Sequence, residues 1–265
     1  MPLKAVIFDL DNTLVPEMAN YEQAFIDAVA PLVAPRDIDA VALRDAVFNA
    51  SRDLWLGSPH AELFLQLGIG SPTSMFSELP GAPYDAIRDW LPAYRREAWL
   101  RGLRACGVTD LEPLAAALDV AFRERQRVFA PPFADALAAV RDAAGRYELV
   151  LLTNGPSDVQ RRKLDASGLA PFFPVVVASG DVGFGKPDAR IFMLALAAVG
   201  MSAVEAVSVG DSIEKDVVGA RNAGIRSVLV DRRDSAGLTG SAERVIESLD
   251  ELADALTSLD GGPTA

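Results

Sequence analysis

Residues 4–15 read KAVIFDLDNTLV, and the architecture of the chain turns on them. Ala5, Val6, Ile7 and Phe8 form an unbroken apolar run of strand length, the pattern of a strand covered on both faces. Two carboxylates, Asp9 and Asp11, arrive as the run ends, with Asn12 and Thr13 beside them. Carboxylates at the end of a buried strand are costly unless a cation or hydrogen-bond donors meet them. Taken alone, the stretch fits equally an Asx-type turn that closes a strand. The remaining sequence separates the two readings.

A strand covered on both faces needs a parallel sheet around it. Residues 16–130 do not offer one. Tyr21–Val33, Asp39–Leu56, Tyr84–Cys106 and Asp110–Phe129 carry apolar residues at helical spacing, prolines punctuate the intervals, and Thr109 with Glu112 forms a candidate capping box. From Pro131 onward the pattern alternates. Strands are expected at Glu148–Thr153, Val175–Ala178, Ala206–Val209 and Ser227–Val230. Helices are expected at Asp135–Ala144, Ser157–Ser167, Ala189–Val199 and Ile213–Ala223, with Ser202/Glu205 and Ser248/Glu251 as capping boxes. The last of these opens a final helix, and Gly261–Ala265 should fray. This alternation predicts an α/β fold with a Rossmann-like, mainly parallel sheet. The expected division is an α/β core from 1–15 plus 131–265, with 16–130 inserted as an all-helical domain.

Composition narrows the chemistry. Half of the 265 residues are hydrophobic, enough for a sizeable core, and the formal net charge is −12. That balance disfavours a partner such as nucleic acid or an anionic membrane, which calls for a basic face. One cysteine, Cys106, rules out an intramolecular disulfide, and one histidine, His60, rules out a multi-histidine metal site within the monomer. Any metal is therefore expected to be a hard cation held by oxygen. The start, MPLKAVIF, turns acidic too soon for a signal peptide, and no apolar run reaches transmembrane length. A cytoplasmic monomer or homodimer is the expectation.

In a parallel sheet ligands bind beyond the carboxyl ends of the strands. Asp9 and Asp11 follow the first strand, Thr153 and Asn154 the second, and Asp211 the strand ending at Val209. Three motif matches fail at the residue that performs the chemistry. GDVGFGK at 180–186 has P-loop spacing, but Pro187 stands where Ser or Thr would hold magnesium. Gly183 and Gly185 begin a dinucleotide fingerprint whose third glycine position is Asp188. Asp9, Asp11 and Thr13 begin a calcium loop whose glycine position is Leu14 and whose closing glutamate position is Asn20.

What remains is DLDNT at Asp9–Thr13, LLTNG at Leu151–Gly155, GKPD at Gly185–Asp188 and GDSIEKD at Gly210–Asp216. In that order the four blocks resemble the haloacid dehalogenase superfamily, which consists mostly of phosphatases, and a helical cap between the first two motifs is a common arrangement there. The resemblance implies that Asp9 is the nucleophile and forms an aspartyl phosphate. It implies that Asp11 protonates the leaving oxygen and later deprotonates water, and that Thr153 and the Asn154 backbone hold phosphoryl oxygens. Lys186 would neutralise charge on the phosphoryl group and on Asp9. Asp9, the Asp11 carbonyl and Asp211 would hold Mg²⁺, with Asp216 joining directly or through water.

Asn12 departs from the glycine common at its position, a variation the family tolerates. The dehalogenase branch lacks a carboxylate at the position of Asp11, so phosphatase is favoured over dehalogenase. A phosphonate-cleaving relative would need a cap lysine, and residues 16–130 contain none. The resemblance thus implies a Mg²⁺-dependent phosphatase acting on a small phosphorylated metabolite. The alternatives are a phosphosugar mutase of the same superfamily, a dehalogenase-like hydrolase, or a catalytically idle binding protein on the same scaffold. In the cap, Arg52, Arg95, Arg96, Arg101 and Arg104 could reach an anionic substrate, though solvated helix faces explain such arginines as well. Asp53, Trp55 and Trp99 are open in the same way.

Overall fold

The computed structural model describes residues 2–81, 84–109, 111–126, 131–232 and 241–260. The chain divides into two compact units, Met1–Pro16 with Ala130–Ala265, and Glu17–Phe129. The first unit opens with β1 (Ala5–Phe8). The second carries α1 (Glu17–Val33), α2 (Ala40–Leu56), α3 (Ala61–Leu67), α4 (Ser71–Ser74), α5 (Asp85–Arg88), α6 (Leu91–Ala105) and α7 (Glu112–Arg125). The chain then returns to the first unit with α8 (Ala136–Ala144), β2 (Glu148–Thr153), α9 (Ser157–Ala166), β3 (Val175–Ala178), α10 (Ser179–Val182), α11 (Ala189–Val199) and β4 (Ala206–Gly210). A π-helical turn at Ile213–Val218 leads to α12 (Gly219–Asn222), β5 (Arg226–Val230), β6 (Arg244–Ile246) and α13 (Leu252–Asp260).

The six strands among the described residues form one parallel sheet in the order β3-β2-β1-β4-β5-β6. β1 lies at its centre, and its four residues divide between the two faces as the pleat requires. Val6 and Phe8 pack with Leu149, Leu151, Val207 and Val209 on the side covered by Val140 of α8 and Leu256 of α13. Ala5 and Ile7 pack with Val150 and Leu152 on the side covered by Ile191, Phe192 and Leu196 of α11. All four are essentially inaccessible, which is why the run reads as continuously apolar. Phe8 is in register with Leu151 on β2 and with Val209 on β4. The residues that leave these three strands therefore emerge at one edge, at the switch point between β1 and β4.

The helical unit has its own aromatic core. Phe25 stacks on Trp99 with ring centroids 5.2 Å apart, and Phe122 packs against both. Trp55, stacked on Phe64, and Trp99 are both core residues, and Asp53 is exposed. Arg95 is buried and donates to the carbonyls of Ser74 and Ser77, so it serves this core. Arg96 pairs with Glu112, Arg101 and Arg104 with Glu97, and Arg52 donates to Asn49.

Several expected elements differ. Tyr84–Cys106 is two helices, because Pro92 has no N–H to continue the first and suits the opening turn of the second. The capping box at Thr109 and Glu112 does not form: Leu111 is the N-cap of α7 without a side-chain bond, and Glu112 is taken by Arg96. Asp110 and residues 127–130 of the expected helix, and the expected fraying at Gly261–Ala265, lie outside the described residues. α1 begins at Glu17, one turn earlier than its apolar spacing, and α3 and β6 have no counterpart among the expectations. β6 is three residues long with only Ile246 buried, so pairing with β5 defines it where hydrophobicity cannot. The capping boxes at Ser202/Glu205 and Ser248/Glu251 are both present.

Candidate active site

Immediately after β1 the backbone folds back on itself. Asn12 N donates to Val15 O at 2.6 Å, and Leu14 N and Val15 N both donate to Leu10 O. The turn needs a left-handed residue, and Asn12 supplies it at φ 62°. Asparagine visits this region more readily than other residues with a Cβ, so it stands in for glycine without difficulty. The turn leaves Asp9, 8% exposed, with Oδ1 2.6 Å from Lys186 Nζ and Oδ2 accepting from Thr13 Oγ1 at 3.1 Å.

Lys186 is brought there by Asn154. The Asn154 side chain accepts from Lys186 N at 2.8 Å and donates to Lys186 O at 2.9 Å, fastening the GKPD loop to the end of β2. The Lys186 ammonium then bridges Asp9 and Asp216, with 2.6 Å to Asp216 Oδ1. Burial works to push that ammonium down, but Asp216 and Asp9 outweigh it and hold it above the ordinary lysine value. Asp216 sits on the π-helical turn, where Val217 N reaches Ser212 O five residues back, and its Oδ2 accepts from Ser212 N at 3.0 Å. The sequence predicts an ordinary helix there; the widened turn is the difference.

Asp9, Asp211 and Asp216 each offer a carboxylate oxygen, all within 4.8 Å of one another. Burial, then the neighbouring Asp9 and Asp216 charges, push the Asp211 carboxyl up to about 7. Lys186 leaves this cluster of three carboxylates with surplus negative charge. An all-oxygen donor set with such a surplus fits a hard divalent cation of the magnesium type.

Thr153 is fully buried at the end of β2, and Asn154 follows it. The Asp11 carboxylate faces α9, with Gln160 Nε2 at 2.7 Å from Oδ2 and Lys163 Nζ at 2.7 Å from Oδ1. The structure thus gathers Asp9, Lys186, Asp211 and Asp216 by direct contact or proximity, and links Asp11 to Thr153 through Gln160. Gln160, Lys163 and Thr13 escape sequence reasoning. A lysine and a glutamine on a helix otherwise rich in charge look like a solvated face, and only their burial sets them apart.

The haloacid dehalogenase-like hydrolase family matches residues 3–224. Phosphoserine phosphatase from Thermus thermophilus is 35% identical over 236 residues, covering 87% of this chain and 89% of that protein. Glyceraldehyde 3-phosphate phosphatase from Methanopyrus kandleri is 27% identical over 231 residues, 87% of this chain and 84% of that one. Among solved structures, the hydrolase YfnB from Bacillus subtilis, bound to magnesium, has a TM-score of 0.67 at 21% identity, covering 97% and 99% of the two chains, a likeness of fold.

Proposed function

This chain belongs to the haloacid dehalogenase-like hydrolases, and from that premise we propose that it is a Mg²⁺-dependent phosphatase that hydrolyses a small phosphorylated metabolite through phosphorylated Asp9. The observation that carries the reading is Asp9 itself: a strand-end carboxylate held by Lys186 and Thr13, beside two further carboxylates, with a second acid two residues on. Asp9, Asp211, Asp216 and the Asp11 carbonyl would hold the Mg²⁺, which when bound neutralises phosphoryl charge.

Asp9 attacks phosphorus through a carboxylate oxygen, and the bond from phosphorus to the leaving oxygen breaks. Asp11 gives its proton to that oxygen. Thr153 and the Asn154 N–H hold phosphoryl oxygens, while Lys186 offsets the charge that three carboxylates would otherwise turn against an anionic substrate. In the second half Asp11, now ionised, takes a proton from water as the water oxygen attacks phosphorus, and Asp9 is released with inorganic phosphate. The helical unit, 16–130 in its sequence bounds, is proposed to choose the leaving group. Relatives named for phosphoserine and glyceraldehyde 3-phosphate support a substrate among small metabolites.

Asp11→Asn tests the assignment. An activated aryl phosphate still phosphorylates Asp9, because its leaving group barely needs a proton. The amide cannot serve as base for water, a loss worth about 10²–10⁴-fold. The expected result is a burst near one equivalent of phenol, then slow turnover, with one phosphoryl group on the peptide containing Asp9; Asp9→Asn shows neither. Turnover at the parent rate, or a label elsewhere, refutes the roles. Phosphate release without a bisphosphate activator separates the phosphatase from a mutase.

A further inference from the structure

Gln160 and Lys163 stand three residues apart on α9 and therefore share a face of it. Both are buried, at 1% and 4% exposure, although each side chain ends in a polar group. Burying an ammonium is costly unless it is paired. Lys163 meets Asp11 Oδ1, and Gln160 meets Asp11 Oδ2, each at 2.7 Å. One helix face thus grips both oxygens of Asp11 in its ionised form, the form that takes a proton from water in the second half of the proposed reaction, and sets the plane in which it lies.

The Gln160 amide does a second thing. The nitrogen that faces Asp11 also lies 2.5 Å from Thr153 Oγ1. A carboxylate only accepts, so the amide group turned toward it is the NH₂, which carries two hydrogens and no free lone pair. Thr153 Oγ1 is then the acceptor in its bond with Gln160, and its own hydroxyl hydrogen is directed elsewhere. A phosphoryl oxygen, which also only accepts, is a matching partner. Gly155 belongs to this arrangement: a Cβ there would lie 3.2 Å from Gln160 Cδ, on a backbone at φ 136° that disfavours any side chain.

We propose that Gln160 and Lys163 are positioning residues for phosphoryl transfer, Lys163 and Gln160 together aligning the ionised Asp11 carboxylate to take a proton from water and Gln160 polarising the Thr153 hydroxyl as a donor to the phosphoryl group. The proposal rests on the phosphatase reading given above. It distinguishes the pair from a structural staple between the DLDNT turn and α9, because a staple would not separate the two halves of the reaction.

The test uses the full chain, with 4-nitrophenyl phosphate and phenyl phosphate as probes. Formation of phosphorylated Asp9 is read from the burst of released phenol, and its hydrolysis from the slower turnover that follows. Lys163→Met removes the charge at similar length and slows hydrolysis of phosphorylated Asp9 about tenfold more than its formation from either probe, a fraction of the general-base effect. Gln160→Met weakens inhibition by inorganic phosphate about tenfold, the scale of one hydrogen bond to a charged group, and has no further effect in a Thr153→Val background. The second variant exchanges one uncharged side chain for another and carries the test if Lys163→Met does not fold. Equal losses in the two halves of the reaction, with phosphate inhibition unmoved by Gln160→Met, overturn the proposal. A parent enzyme that labels Asp9 while both variants match it overturns the positioning roles alone. A parent that never labels Asp9 overturns the phosphatase reading, and this proposal with it.

Discussion

Gly210→Ala probes the join between the sheet and the acidic cluster. Gly210 ends β4, and a Cβ added there would lie 2.6 Å from Asp216 Cβ and closer still to its carboxylate. Carbon atoms settle at about 3.5–4.0 Å, so Asp216 has to retreat by about 1 Å. The Lys186 Nζ–Asp216 Oδ1 bond, now 2.6 Å, then opens to about 3.5 Å, beyond useful hydrogen bonding. Losing a hydrogen bond between charged groups costs about 1.5–3 kcal/mol, with Lys186 still held by Asp9 and Asp216 by Ser212 N. At 2–4 °C per kcal/mol for a unit of this size, the melting temperature falls by about 3–12 °C. A misplacement of about 1 Å in the site is worth about 10²-fold in kcat. Urea and thermal unfolding with aryl phosphate turnover read both effects. Gly145→Ala is the control, since its Cβ lies 3.4 Å from Asp142 O and meets nothing in the site. A Gly210→Ala protein with the stability and kcat of the Gly145→Ala protein would refute the reasoning, and with it the claim that a missing Cβ at β4 sets the position of Asp216.

Three further outcomes are expected. Mg²⁺ at about a hundred times its dissociation constant stabilises the protein by about 2.7 kcal/mol, and Asp211→Asn removes most of that gain; undiminished turnover in excess chelator contradicts the metal requirement. Burial works to raise the Asp135 carboxyl, but Arg232, the Leu249 N–H and the Ser248 hydroxyl outweigh it and hold Asp135 below the ordinary carboxylate value. Its folded form therefore binds fewer protons than the unfolded chain, so its contribution is complete above about pH 4 and fades as pH falls further; Asp135→Asn should lower the urea midpoint at neutral pH, with a gap that narrows in acid, and a constant gap counts against the sign. Exchanging the helical unit for that of a relative should change which phosphorylated metabolite is preferred while aryl phosphate turnover changes little; an unmoved preference assigns specificity to the sheet unit.

The sheet was legible because its cause is local. An unbroken apolar run such as AVIF, or the LVLL of β2, has nowhere to go but between two covered faces, and strand ends carry the polar residues that follow. The blocks around Asp9, Thr153 and Asp211 could be read for the same reason, since each follows a strand whose end the sequence marks, whereas GKPD, separated from β3 by α10, was read from its resemblance to a family motif. Asn12 was visible as a departure, but its left-handed backbone was not. What the sequence left open depends on neighbours distant along the chain. Arg95, a candidate for an anionic substrate by residue type, is bound to carbonyls inside the helical unit, a fate decided by packing. The π-helical turn at Asp216 adjoins a glycine six positions earlier and a lysine thirty positions earlier, and no local periodicity records that. Gln160 and Lys163 look like surface residues on a charged helix until the fold sets Asp11, about 150 positions away, against them. Hydrophobic patterning reports which face of an element avoids water; the partner a buried polar group finds is a property of three dimensions, because hydrogen bonds and ion pairs act only over a few ångströms of space.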